Sequence, residues 1–248
     1  MRIIISFLLF ACSVIRADTL SDLKIALAAL DGRGTIKARI EVGSVQRNDK
    51  ASKDDPAGLT VAALVEDGPQ GLTITWDRAL LQVTATEVEA KGKDLNKSTP
   101  TRNSMDDLKP SALSEYLNAR PRVLRLLDQT QLTEEKKIVW EGQPTRLLTF
   151  KWNPPLSDKD KKVIKEVEGT VRLWLGADGL PAAVETQAHA KGRALLVISF
   201  ETTETEEIRF AKIGGRLVMT RYGHETQSSG GGQTGVKKSF ITLQPLTP

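Results

Sequence analysis

The sequence predicts a mainly β protein of the α+β class, in which a few short helices accompany an antiparallel sheet. Segments in which apolar and polar residues alternate recur along the chain, and glycine-rich turn signals separate them. This pattern is typical of consecutive antiparallel strands. Segments with helical spacing are short and few. Because no shift in composition divides the chain, residues 18–248 are predicted to form one β-rich domain.

Residues 1–17 are predicted to be a cleavable signal sequence. Arg2 supplies a positive charge, an apolar run follows, and small residues such as Ala17 close the segment. The apolar run is too short for a helix that crosses a bilayer, which takes about 20 residues. We therefore expect an exported protein, periplasmic or secreted after cleavage near Ser13 or Ala17.

An alternative depends on Cys12, the only cysteine of the chain. The tetrapeptide Leu9-Phe10-Ala11-Cys12 resembles the lipobox of bacterial lipoproteins, in which the cysteine is acylated and becomes the first residue. In that case the protein is a lipoprotein anchored through Cys12, and contact with a membrane is expected only then. If Cys12 is removed instead, the mature chain has no thiol for a disulfide, a nucleophile or a metal site.

The first elements after the signal sequence are one helix and three strands. Apolar residues recur every three or four positions from Leu20 to Leu30, which predicts a short amphipathic helix. Strict alternation over Thr35–Val42 predicts a strand with one wet face. A polar loop is expected from Asn48 to Pro56, and Leu59–Val65 and Leu72–Trp76 are predicted as the next two strands.

The middle of the chain gives a less uniform pattern. Residues 78–91 fit a helix as well as a strand. The segment Asp94–Asn103 is polar and is predicted to be a loop. Ser111–Asn118 and Arg122–Leu127 are predicted to be two short helices, because both carry apolar residues at helical spacing and begin near a proline that a first turn accepts.

The second half of the chain is predicted to be almost entirely strand. Lys136–Glu141 and Thr145–Trp152 are expected to form a hairpin, and the charged segment Ser157–Glu166 to hold one or two helical turns. Connections are expected at Gly192 and at two later glycine clusters. The remaining predicted strands are Gly169–Leu175, Ala182–Ala190, Leu195–Phe210, Leu217–Glu225 and Val236–Leu243.

The sequence contains no accepted catalytic, metal or cofactor motif, so we expect neither an enzyme nor a bound cofactor; a hydrolase with an unrecognised site is the alternative. The only two histidines, His189 and His224, lie far apart in the sequence, whereas a metal site takes three or four ligands. Residues 230–235 match G-x-G-x-x-G, but a predicted strand follows them, so a hairpin loop is expected. Ser21 begins an S-x-x-K match that lacks its companion motifs, and is expected to cap the first helix or to lie in its first turn.

The charge distribution argues against nucleic-acid binding. Without Arg2 and Arg16, 33 of the 35 basic residues remain, against 31 acidic residues. The glutamates within residues 201–207 are interleaved with threonines and are predicted to be the exposed part of a long strand. The basic clusters are short, lack interleaved aromatic residues and are predicted to be solvated faces; they are Arg120, Arg122 and Arg125, and Lys159, Lys161, Lys162 and Lys165.

The four tryptophans are the candidate ligand-cavity residues, and no catalytic or metal residue is assigned. Each lies at or near a predicted strand end among apolar neighbours. Two interpretations stay open: the tryptophans pack the sheet against the helices, or some of them line an apolar cavity, since ligand sites are mostly apolar and aromatic. The four are Trp76, Trp140, Trp152 and Trp174.

Two stretches carry a resemblance to a known family. They are Leu20–Val42, a helix that leads into a long strand, and Gly169–Pro181, a strand and turn that end in Gly-Leu-Pro. Both resemble the LolA/LolB-like proteins of the bacterial cell envelope, relatives of the outer-membrane lipoprotein-sorting carriers. The resemblance implies an open, curved antiparallel sheet, a half barrel, with helices that cover the concave side over an apolar cavity.

Two functions are expected from these observations. The first is an exported cell-envelope protein that binds a lipid, another apolar ligand or a lipoprotein in the half-barrel cavity. The alternative is a structural or interaction protein of the envelope with a packed core and no ligand, whose exposed strand edges bind a protein partner.

Overall fold

The computed structural model describes residues 19–48, 59–194 and 198–246. These residues form ten strands in one antiparallel sheet that does not close, together with six helices. The predicted fold class, an open, curved antiparallel sheet with helices, is confirmed. The predicted signal sequence, Cys12 and most of the predicted loop from Asn48 to Pro56 lie outside the described residues.

The strands follow each other in the sheet in the order β3-β2-β1-β10-β9-β8-β7-β6-β5-β4, so β3 and β4 form its two edges. The strands are β1 (Ile36–Asn48), β2 (Leu59–Gly68), β3 (Gly71–Trp76), β4 (Thr130–Trp140), β5 (Gln143–Trp152), β6 (Ile164–Leu175), β7 (Pro181–Ala194), β8 (Ile198–Ile213), β9 (Arg216–Gly230) and β10 (Gln233–Pro245). The helices are α1 (residues 19–28), α2 (Arg78–Lys93), α3 (Pro100–Asp106), α4 (Pro110–Leu117), α5 (Arg120–Asp128) and α6 (Asp160–Val163).

The middle of the chain differs most from its prediction. The ambiguous residues 78–91 belong to helix α2, and the predicted loop Asp94–Asn103 is wrong over its last residues because α3 begins at Pro100. The carboxylate of Glu87 in α2 accepts hydrogen bonds from the backbone N–H groups of Thr101 (3.1 Å) and Arg102 (3.2 Å). A contact between helices thus satisfies the first turn of α3, whose sequence begins with the proline that a first turn accepts but has no apolar residues at helical spacing.

Several strands are longer than predicted, and one predicted connection is wrong. Gly192 lies inside β7, where it pairs with Phe200 of β8, rather than between strands. A Cβ atom at Gly192 would collide with the carbonyl oxygen of Val163, so a close approach of backbones accounts for this glycine. Residues 231–232 do form the predicted hairpin turn between β9 and β10.

One face of the sheet, called here the inner face, carries two apolar clusters. The first lobe combines β4–β9 with α1 and α5, and its core includes Leu23, Leu27 and Phe150. The second lobe combines β1–β3 and β10 with α3 and α4, and its core includes Ile40 and Leu117. The opposite side of the sheet is called the outer face.

The two lobes meet at a border formed by two aromatic rings and by a backbone contact. Tyr116 of α4 and Tyr222 of β9 each pack against both clusters, with ring centroids 6.1 Å apart. In the loop before β1, the Gly34 N–H donates to the carbonyl of Gly214 in the β8–β9 turn at 2.9 Å. A Cβ atom at Gly34 would lie 2.5 Å from the Gly214 Cα, so this contact requires glycine.

Candidate functional site

A cavity of about 230 Å³ lies between α5 and the inner face of β7 and β8. Its roof is one face of α5, because the lining residues recur at the helical spacing of three and four positions. The roof residues are Arg122, Arg125, Leu126 and Gln129; the walls and floor are Trp152, Val184, Thr186, Ala188, Glu204, Glu206 and Ile208.

Helix α5 is held over the sheet by apolar and backbone contacts. Val123 and Leu127 are buried in the core of the first lobe. The N–H of Ala119, directly before the helix, donates to the carbonyl of Leu217 in β9 at 2.7 Å. This anchoring places Arg122 and Leu126, which neighbour the buried residues on the helix surface, above β7 and β8.

A hydrogen-bonded network around Arg122 occupies one end of the cavity. The Arg122 guanidinium donates to Glu206 Oε2 at 2.5 Å and to Glu115 Oε2 at 3.4 Å. The Tyr222 hydroxyl donates to the other oxygen of Glu206 at 3.1 Å. The side chains of Arg122 and Glu206 are each only 27% exposed, so this ion pair is shielded from water more than a surface pair is.

Burial and neighbouring charges both shift the pKa values of this network. Burial alone lowers the pKa of Arg122, but the carboxylates of Glu206 and Glu115 outweigh it and raise that pKa above its ordinary value. Burial raises the pKa of Tyr116 to about 12. Burial and the charge of Glu206 raise the pKa of Tyr222 as well. At neutral pH Arg122 is therefore charged and both hydroxyl groups keep their protons.

Trp152 forms a wall of the cavity and holds an unpaired hydrogen-bond donor. Its indole ring packs over Gly169 of β6, where a Cβ atom would lie 2.8 Å from the Trp152 Cε3. The indole Nε1 is buried and has no hydrogen-bond partner within the described part of the chain. Such a group destabilises a fold by about 1–3 kcal/mol unless something binds to it.

The mouth of the cavity is marked by two charged side chains. Arg125 is 61% exposed and donates to Glu115 Oε1 at 2.7 Å. Glu204, on the inner face of β8, is exposed and forms no ion pair with any residue in the described ranges. The cavity is thus apolar along Leu126, Val184 and Ile208 and charged where it opens.

The four candidate tryptophans are not brought together. Trp152 lines the cavity. Trp76 packs against the core of the second lobe from the edge strand β3. Trp140 and Trp174 stack on the outer face with ring centroids 5.7 Å apart, and the Arg209 guanidinium lies 4.3 Å from the centre of the Trp140 ring.

Sequence reasoning does not find the charged members of this site. The sequence predicts that the cluster with Arg122 is solvated and that the stretch with Glu206 is exposed, but both side chains are only 27% exposed. Glu204 is exposed as predicted, but its place in the cavity lining is not predicted. The alternation along the strand could have placed both glutamates on the inner face. Side chains two positions apart point to the same side of a sheet, and Glu206 and Glu204 lie two and four positions from the buried Ile208, itself two from Phe210. Pairing with α5 was not visible, since 84 positions separate Arg122 from Glu206.

The two histidines do not form a metal site in the structure. His189 Nδ1 lies 3.1 Å from Thr203 Oγ1. His224 of β9 lies opposite Glu206 of β8 in the strand register. Among residues 19–48, 59–194 and 198–246, no group of three or more His, Cys, Asp and Glu side chains is placed to hold a metal ion. In the same residues, no helix combines the length and apolar character needed to cross a membrane.

Comparison with known proteins neither names a family nor points to a relative. No family model, no curated protein and no solved structure matches this chain.

Proposed function

We propose that this protein is an exported carrier of the cell envelope that binds a lipid or another apolar ligand between α5 and the sheet. The observation that carries the proposal is the cavity itself, apolar inside and charged at its mouth. Ligand sites have this composition, an apolar lining with a few convergent polar groups. The resemblance to LolA/LolB-like carriers also supports the proposal.

The size of the cavity favours a slim ligand. Its volume of about 230 Å³ is below the range of roughly 300–1,000 Å³ that is usual for ligand pockets. A single acyl chain suits this volume better than a two-chain lipid or a fused ring system.

Export of the carrier is part of the proposal. It rests on residues 1–17, whose basic start, apolar run and small residues fit a signal sequence. Cleavage near Ser13 or Ala17 would release a diffusible carrier, whereas acylation of Cys12 would tether it to a membrane. The intact mass of the mature protein distinguishes these forms.

Binding is tested with residues 18–248 and the neutral, apolar fluorescent dye N-phenyl-1-naphthylamine. The dye should bind the protein, and Ala188→Trp should weaken binding at least about tenfold, because the new indole fills the cavity beside β8. Ala85→Trp is the matched control, since Ala85 is exposed on α2 away from the cavity. Circular dichroism checks that both variants fold. Equal dye affinity of the two variants would contradict the proposed site.

A second candidate function is an envelope interaction protein with a packed core. It is favoured by the stacked Trp140 and Trp174 and by Arg209 on the outer face, because Trp and Arg are enriched where proteins bind each other. Crosslinking in the envelope compares Trp174→Ala with the wild type. Loss of one stoichiometric partner, together with absence of dye binding, would favour this function over the carrier.

A further inference from the structure

We propose that the ligand is a zwitterionic amphiphile with a single acyl chain, whose phosphate lies at Arg125 and whose ammonium group lies at Glu204. The inference rests on the proposed function and adds the class of head group that the cavity mouth selects.

The charges that line the cavity are balanced. Two arginines and two glutamates line it, so their formal charges sum to zero. Arg122 and Glu206 bind each other at 2.5 Å and are largely shielded, and Glu206 also accepts the Tyr222 hydroxyl. Arg122 and Glu206 thus neutralise each other, and the remaining charged residues of the lining, Arg125 and Glu204, select the head group.

Arg125 and Glu204 are the two charges that a head group meets first. The contact between Arg125 and Glu115 is a surface ion pair, of the kind that contributes little, so a phosphate can compete with Glu115 for the guanidinium and bind it in a bidentate manner. Glu204 forms no ion pair with the described residues and is exposed at the same mouth, where it can accept an ammonium group.

A head group of one sign does not match this mouth. An anionic head would find Arg125 but would also lie beside Glu204, with Glu206 further inside. A cationic head would find Glu204 but would lie beside Arg125. A zwitterion gives each charge an opposite partner, which is the electrostatic complementarity that confers specificity.

Much of the remaining lining is apolar and suits the acyl chain. The apolar side chains of Leu126, Val184 and Ile208 then contact the acyl chain deeper in the cavity.

Three amphiphiles with the same acyl chain test the inference by isothermal titration calorimetry on residues 18–248. They are lysophosphatidylethanolamine, lysophosphatidylglycerol and the uncharged monoacylglycerol. The zwitterionic lipid should bind at least about fivefold more tightly than the anionic lipid, with the uncharged lipid between them. Added salt should reduce the difference.

Two variants assign the preference to the two side chains. Glu204→Gln should weaken binding of the zwitterionic lipid about fivefold, tighten binding of the anionic lipid and leave the monoacylglycerol unchanged. Arg125→Gln should weaken binding of both phosphate-bearing lipids and leave the monoacylglycerol unchanged. Glu207→Gln is the matched control, because Glu207 neighbours Glu206 but lies outside the cavity lining.

The outcomes distinguish failure of the head-group inference from failure of the proposed carrier function. If the monoacylglycerol binds but the head groups are not distinguished, or the preference survives Glu204→Gln, the head-group inference is wrong and the carrier function stands. Tighter binding of the anionic lipid would also overturn the inference. If none of the three lipids binds, the carrier function itself fails.

Discussion

The two successive helices α4 and α5 each cover one lobe of the sheet, yet they do so with different chemistry. Helix α4 directs Leu113 and Leu117 into the second lobe, where both side chains are completely buried. Helix α5 buries Val123 and Leu127 in the first lobe, but it also holds Arg122 over the strands. One helix closes a core, and the other closes a core and roofs a cavity.

The difference originates in the strands beneath the helices. Under α4 and its neighbours, the inner face of β1 is apolar from Ile36 to Val42. Under α5, the inner face of β8 changes from Ile208 to Glu206 and Glu204 within one strand. A helix over a uniformly apolar face excludes water along its whole length. A helix at the border of apolar and polar surface leaves a cavity with a charged mouth.

The largest effect is expected from the helix that only closes a core. Leu117→Ala should lower the free energy of unfolding by about 3 kcal/mol, because the side chain is fully buried and its removal leaves a void. Urea unfolding measures the change. Dye binding by the folded variant should stay unchanged, since Leu117 does not line the cavity. A loss below about 1 kcal/mol, or lost dye binding in a folded variant, would contradict the division of roles.

A smaller loss of stability is expected where α5 is tied to β8. Glu206→Ala should cost about 2 kcal/mol, because it removes the acceptor of both Arg122 and Tyr222 and leaves a half-buried guanidinium with Glu115 alone. Glu206→Gln should cost less, as its amide oxygen can still accept a hydrogen bond. Glu207→Ala, the exposed neighbour, should change stability by less than about 0.5 kcal/mol. Equal losses for Glu206→Ala and Glu207→Ala in urea unfolding would show that the ion pair does not hold α5.

The strands were predictable because every second side chain along them is buried. Residues Ile36, Ala38, Ile40 and Val42 alternate with polar residues in the sequence, and all four are buried on the inner face. The same rule distinguishes the tryptophans. Trp152 is in phase with the buried Phe150 and faces the helices.

Helices α2 and α3 were not predictable from local pattern, for physical reasons. None of the residues of α2, all of which the structure describes, is buried, so its sequence carries no apolar stripe of the usual kind. Helix α3 depends on Glu87 of α2 for the hydrogen bonds of its first turn. A contact of this kind appears only once the chain has folded.

The candidate site was partly visible and partly hidden for the same reasons. Trp152 is among the four aromatic residues that the sequence singles out, and it lines the cavity. The sequence neighbours of Arg122 and Glu206 predict that both side chains are solvated. Their pairing requires α5 to pack across β8, which depends on Val123 and Leu127 finding the first core.

The only two tyrosines of the chain lie at the border between the two lobes. The rise in absorbance at 295 nm with increasing pH therefore reports ionisation of Tyr116 and Tyr222, because the tryptophans, which also absorb there, do not ionise. In the folded protein little tyrosinate should form near pH 10, because burial raises the pKa of Tyr116 to about 12 and the pKa of Tyr222 is raised too. Tyrosinate at pH 10 in a protein with intact circular dichroism would show that water reaches the border.

The raised pKa of Tyr116 makes the protein less stable as the pH rises above 10. A hydroxyl whose pKa is higher in the folded state stabilises the fold fully below the unfolded pKa of 10, and this contribution is lost as the pH rises towards 12. The free energy of unfolding should therefore decrease over that range. The free energy of unfolding of Tyr116→Phe should decrease less steeply with pH than that of the wild type, because the variant has one fewer group to ionise. Equal slopes would mean that Tyr116 ionises as readily in the folded chain as in the unfolded one, and that the lobes do not exclude water where they meet.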